Sequence, residues 1–323
     1  MIPLRLVIAT FVIVLGACSN HVADTVTPPE KASSLTAANP SAGSVVSLSG
    51  KVLVVPATIP NRGRLEADLA AAQALSAEHP DDADALIWVA RRLGYLWRYH
   101  EAIAVLDQGI ERWPDNPRLY RHRGHRHITV RAFDRAQADL ERAAALIAGR
   151  DDEIEPDGAP NPAGIPRTTL FYNIGYHLGL ARYLQGDYAG ALAAYTDALA
   201  VSDNDDARVA VIDWMWMTLM RLGEVDAAAA LLVDITPEMD LLENHSYHRR
   251  LLMYQGTISP ASLLDVASGD ATDIATQGYG VGNYHYVHGD TEQARSVFSM
   301  ILEGNGWNAF GYIAAESDLR RLD

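Results

Sequence analysis

Among 323 residues the chain has one cysteine, Cys18, so no disulfide can close within it. Long hydrophobic runs are missing too. The apolar stretch from Leu6 to Leu15 is too short for a comfortable transmembrane helix. Positive charge is scarce: 26 Lys and Arg stand against 41 Asp and Glu, a net charge of −15. That balance argues against a general nucleic-acid or anionic-lipid surface and for a soluble body. There is no GxSxG, no HExxH and no P-loop. Gly278-Tyr279-Gly280-Val281-Gly282 lacks the GxGxxG spacing and any preceding strand, so it reads as helix with glycines for close packing. No cofactor or metal is implied. A catalytic site built from distant residues would leave no such mark.

What the chain does contain is a period of 34 residues. Ala102 is followed by Ala136, Tyr99 by Phe133, Leu106 by Leu140, Gly109 by Ala143 and Ala90 by Gly124. Pro80 and Pro114 stand the same distance apart. Small and large apolar residues recurring at this period mark stacked helix–turn–helix units, which bury a core only against their neighbours. The unit at 172–205 is the best formed, with Leu178-Gly179, Gly186-Asp187-Tyr188, Ala191, Tyr195 and Ala198. The last repeats it with Val281-Gly282, Gly289-Asp290, Ala294, Phe298 and Ile301. Units at 209–242 and 242–270 are looser: Trp216 and Arg249 sit where small residues are expected. Trp307 to Leu322 reads as a solvating cap helix, with Phe310, Ile313 and Leu319 inward and Glu316, Asp318 and Arg320 outward.

This pattern resembles the tetratricopeptide repeat. The resemblance implies an all-α fold: an α-α superhelix of about six helix–turn–helix units with a C-terminal cap helix, over residues 61–323. Between the second and third units, Asp151 to Arg167 carries Pro156, Pro160, Pro162 and Pro166 and is a stiff loop. It either folds over the groove as a lid or stands in solvent.

Upstream, Leu15-Gly16-Ala17-Cys18 resembles the bacterial lipobox. The resemblance implies a signal peptide at 1–17 and acylation of Cys18. Several acyl chains would anchor firmly where one would be marginal. With Ser19 after the cysteine, it also implies outer-membrane residence, facing the periplasm. Residues 18–49 are rich in Ala, Ser, Thr and Pro and read as a disordered tether; 50–60 reads as a short extended segment.

In tetratricopeptide proteins the first helix of each unit lines the concave face. Carried onto this sequence, the stripe comprises Arg91, Tyr95, Arg118, Arg121, His125, Asn173, Tyr176, Tyr183, Arg221, Arg250, Tyr254, Tyr279, Asn283 and Tyr286, with His122 and His177 beside it. Its acids are Asp84, Asp213 and Glu243. Arg offers forked bonds to carboxylate or phosphate, and Tyr an apolar face with a polar tip. The densest part, Arg118 to Arg131 (RLYRHRGHRHITVR), holds no carboxylate. Its His122, His125 and His127 would face repelling arginines as metal ligands, so an anion suits it better. The expected function is a membrane-anchored scaffold holding a peptide or protein of the envelope in this groove. Two alternatives remain: a small-molecule or glycan binder with 151–167 as lid, and, as a third reading, an enzyme using His122, His125, His177 or His245.

Overall fold

The computed structural model describes residues 43–158, 160–264 and 270–322. Cys18, the signal peptide expected at 1–17 and residues 18–42 of the expected tether lie outside the described residues. The chain opens with β1 (Val45–Val46) paired antiparallel to β2 (Val52–Leu53). Residues 43–49, expected as tether, therefore belong to the folded body; Val45 and Leu53 are buried in its core. Fourteen helices follow among the described residues: α1 (Arg62–Glu78), α2 (Ala83–Tyr95), α3 (Tyr99–Arg112), α4 (Pro117–Thr129), α5 (Phe133–Ile147), α6 (Leu170–Gln185), α7 (Tyr188–Ala200), α8 (Asp205–Leu222), α9 (Val225–Leu231), α10 (His245–Tyr254), α11 (Pro260–Leu264), α12 (Ala271–Val287), α13 (Thr291–Glu303) and α14 (Phe310–Leu322). They form hairpins, α2 with α3 through α12 with α13, each packed on the next. This is the all-α superhelix expected.

Local chemistry sets the hairpins. Asp82, Asn116, Thr169, Asn204 and Asp270 cap the first helices, each side chain accepting a backbone N–H of the opening turn. Within each hairpin the turn needs one residue in the left-handed region. Trp97, Arg131, Gly186, Gly223, Gly256 and Gly289 fill that place, with φ between 63° and 86°. Glycine carries no Cβ penalty there; Trp97 and Arg131 do. Where helices touch, small residues face large ones. A Cβ on Gly179 would lie 2.5 Å from the Tyr195 ring. Gly179→Ala should therefore cost about 1–3 kcal/mol by overpacking. Urea denaturation reads this; an unchanged midpoint would show that the α6–α7 interface has slack.

The structure corrects the reading of the C-terminal helix. Helix α14 packs against α6, α12 and α13 instead of merely capping the stack. Glu316 and Asp318, expected to face water, are 6% and 1% exposed. Glu316 pairs with Arg131 at 2.8 Å, and Asp318 with Arg221 at 2.5 Å. Ahead of it, Trp307 packs edge-on against Trp97 and Tyr99 and donates to the Val54 carbonyl at 2.8 Å. The last segment thus closes back onto the first hairpins. Trp216, misplaced for the repeat, stacks on Tyr254 with ring centroids 3.7 Å apart. Arg249 is exposed and donates to the Ser262 carbonyl, so it is no tight-packing position.

Candidate functional site

The concave stripe divides into three parts. Arg118 stands alone, paired with Asp84 at 2.6 Å on the side of a separate cleft. The second part is interior. Arg250 and Asp213 are both fully buried and 2.9 Å apart, and Arg250 Nε lies 3.3 Å from the Tyr254 hydroxyl. The Tyr279 hydroxyl lies 2.8 Å from that of Tyr183 and 2.9 Å from the Asp318 carboxylate. Asn283 Oδ1 accepts from Arg221, whose guanidinium sits 4.0 Å over the Tyr286 ring. Tyr183, Arg250, Tyr254, Tyr279, Asn283 and Tyr286 were expected to meet a guest. The structure gives them to the chain itself, because buried polar groups need partners and α14 and the neighbouring helices supply them.

The third part converges. Helix α2 brings Arg91 and Tyr95 one turn apart on the same face. Helix α4 adds Arg121, His122, His125 and Arg126, and α6 adds Asn173, Tyr176 and His177. Helix α6 is apolar nearly all round and covered on every side, so its polar residues sit deep. Arg91, Tyr95, Arg121, His122, His125 and Arg126 line a cavity of about 170 Å³. A neighbouring one of about 330 Å³ adds Asn173, Tyr176 and His177, with Phe310 and Tyr247 at its wall.

Loop 151–167 folds over this site. Its Ile154 bridges antiparallel to Thr169, and its Gly158 carbonyl accepts from Arg92 at 3.1 Å. A Cβ on Gly158 would fall 2.0 Å from the Tyr95 hydroxyl, so the approach needs glycine. Asn161 donates to Glu243, and Arg167 pairs with Asp206 at 3.1 Å. The decisive residue is Glu155, buried at the base of this polar strap, where its N–H donates to the Thr168 carbonyl. It lies 3.1 Å from Arg121 and 2.9 Å from His122, and accepts from Asn173 at 2.9 Å.

Charge in the site is one-sided. Burial brings Arg121 down to about 10, with Glu155 opposing and Arg91 and Arg126 adding to the fall. Burial also lowers Arg126, between the opposing influences of Tyr99, Tyr95 and Arg91. Burial and then Arg121 bring His122 and His177 down to about 3; burial and then Arg126 push His125 well below its usual value. The three imidazoles are therefore neutral at pH 7. His122 Nδ1 accepts from Arg121 at 3.0 Å, which leaves its proton on Nε2, facing Glu155. Burial works to raise Glu155, but Arg121 and His122 hold it below the usual carboxylate range.

Three guanidiniums thus meet one carboxylate. Among the described residues, Arg91 and Arg126 have neither a hydrogen bond nor an ion pair, and Arg91 Nη1 is buried. Each faces an aromatic ring, Arg91 over Trp88 at 4.3 Å and Arg126 over Tyr99 at 5.6 Å, and Arg91 also acts at a distance on the Glu155 carboxylate. No cluster of three or more metal-ligating side chains occurs among the described residues. Sequence reasoning missed Arg126 as a site residue, although it lies in the basic run. It also missed Glu155, Phe310 and Tyr247, which other segments deliver and no spacing reveals. Of the run's other arginines, Arg123 is neutralised by Asp107 and Asp139, and Arg131 by Glu316.

No family model and no curated protein matches the chain. Among solved structures it is similar to YrrB, described as a TPR protein with an unusual peptide-binding site. That match has 16% identity over 72% of this chain and 91% of that one, with a TM-score of 0.41. Naa15/Naa10 bound to HypK-THB is similar at 16% identity over 75% of this chain and 34% of that one, TM-score 0.35. The P58(IPK) TPR domain is similar at 13% identity over 81% and 85%, TM-score 0.25. The hairpin geometry of the chain itself carries the fold. Its architecture is of tetratricopeptide type.

Proposed function

We propose that this chain is a binding scaffold that takes a peptide or protein partner by an anionic group seated beneath loop 151–167. The observation that carries the reading is the pair Arg91 and Arg126, half-buried guanidiniums on the cavity wall without a hydrogen-bond or ion-pair partner of their own, Arg91 Nη1 fully buried. Such groups are costly to keep unless something else satisfies them. The lipobox-like sequence at Cys18 would tether the scaffold in the bacterial envelope, on the outer membrane facing the periplasm, which makes envelope proteins its partners. We read it as a binder and not an enzyme: His122 has both ring nitrogens engaged, and His177 Nδ1 donates to the Asn173 carbonyl at 2.6 Å.

The lidded cavity also favours a second reading, a free small organic anion, because a strap over a narrow site admits the end of a chain or a short ligand more readily than a long peptide. One experiment addresses both. Arg121 is a poor choice for it, since Arg121→Glu would bury two carboxylates against each other beside Glu155. Arg126→Gln leaves no acid unpaired. Peptides ending in a free acidic carboxylate should bind the full chain about tenfold more tightly than their amidated forms, and Arg126→Gln should erase that preference. Equal binding of both forms, unchanged by the variant, would remove the anion from the reading. Binding of free carboxylates, with no gain from an attached peptide, would favour the small ligand.

A further inference from the structure

The balance of charge in the cavity goes one step further than an anion. Arg121 is committed to Glu155, and the three histidines are neutral. Asp157, on the wall of the adjoining cavity, faces Glu243 and not the guanidiniums. Two positive charges, Arg91 and Arg126, are left over on the cavity wall. They come from different helices, α2 and α4, so one small carboxylate paired in a fork with one of them leaves the other unpaired. The cavity exists with Glu155 in place, so a guest need not displace it.

We infer that this pocket is built for a doubly charged anionic group, a phosphate monoester or a dicarboxylate, held between Arg91 and Arg126. Glu155 acts as the fixed counter-charge that sets this valence by neutralising the third guanidinium. Tyr95, at the same wall, offers a hydroxyl to the guest's remaining oxygens. The size agrees: a cavity of about 170 Å³ is close to the ~150 Å³ engineered cavity that admits benzene, so the seated group has roughly six to eight heavy atoms. That matches a four-carbon dicarboxylate or a phosphate with a short substituent. The inference rests on the anion seat proposed above and specifies what sits there.

The test titrates the full chain by calorimetry with methylphosphate, succinate and acetate at fixed ionic strength. At least one of the two dianions should bind about tenfold more tightly than acetate, one per chain. The tighter of the two identifies phosphoryl or dicarboxylate as the chemistry. Arg91→Gln and Arg126→Gln should each bring the dianion's affinity to within a few-fold of acetate's. Neither should lower the thermal midpoint of the guest-free protein, because each removes an unpaired charge and leaves none behind. Acetate binding as tightly as both dianions would overturn the valence while sparing the seat. Failure of all three anions to bind, with the variants indistinguishable from the parent, would take both proposals down.

Discussion

Replacing Arg131 by alanine is expected to destabilise the chain by about 3–5 kcal/mol, the cost of stranding one half of a buried ion pair. Arg131 Nε lies 2.8 Å from Glu316 Oε2, with the two side chains 3% and 5% exposed. The same guanidinium donates to the Trp307 carbonyl at 2.8 Å and to the Thr129 carbonyl at 2.5 Å. Truncation would leave Glu316 buried with no counter-charge at contact distance, and would free the turn that brings the C-terminal segment back to the first hairpins. The backbone makes the case sharper. Arg131 holds φ at 64°, in a position that the four later hairpins give to glycine. Its side chain is retained at a backbone cost of roughly 1 kcal/mol. Arg131→Gly should recover about that much relative to Arg131→Ala. Trp97, the other non-glycine in this series, likewise packs on Trp307 at 4.8 Å. Urea midpoints at constant slope measure both variants. A loss below 1 kcal/mol for Arg131→Ala would show that the closure contributes little, and Glu316→Leu beside it should then change nothing further.

That closure explains which parts of the molecule were legible beforehand. The 34-residue period fixes hairpins because it is written in small and large residues that pack between neighbouring helices, as Gly179 does against Tyr195, all local in sequence. The ion pair between Arg118 and Asp84 is also one period apart and could have been read from the same spacing. Contacts that leave the period could not. Glu316 and Asp318 lie on a terminal helix and find Arg131 and Arg221, 185 and 97 residues away; Glu155 stands one period from Arg121, but on a loop that the repeat does not align. A run of acids on an amphipathic helix ordinarily faces water, which is why Asp318 was assigned there. Only the depth of Arg221, Tyr183 and Tyr279 explains why it points inward. The Arg and Tyr stripe reads as polar from its residue types. The error lay in assuming that whatever satisfies it must come from outside, when for Tyr183, Tyr279 and Asn283 the partner is covalently part of the chain. At Arg91 the chain supplies none and the place for a guest stays open, and Arg126, which the stripe leaves out, stands beside it.

Mild acid is expected to unfold this protein, by a route that runs through the same pocket. In the folded chain His122 and His177 titrate at about 3 and His125 well below its usual value, through burial and the arginines beside them. In an unfolded chain each titrates near ~6.5. As pH falls below that value the unfolded state takes up three protons that the folded state refuses, so stability falls with pH. Burial acts in the opposite sense on Glu316, Glu243 and Asp213, the last against Arg250 at 2.9 Å, and in the same sense on His127. Each of the three histidines contributes up to roughly 1.4 kcal/mol per pH unit below ~6.5, so the loss between pH 6.5 and 5 is on the order of a few kcal/mol. Glu155, held low by Arg121 and His122, adds its own loss only below ~4.3, where an unfolded glutamate protonates. Urea midpoints at pH 7.5, 6.5, 5.5 and 5.0 give the slope directly. His177→Gln keeps a donor for the Asn173 carbonyl and removes one of these protons, so it should flatten that slope. Stability that stays level on acidification, or rises, would mean that these rings are already charged or reach water in the folded chain. The arginine-lined pocket would then have less room for an anion, because it would be meeting a positive charge of its own making.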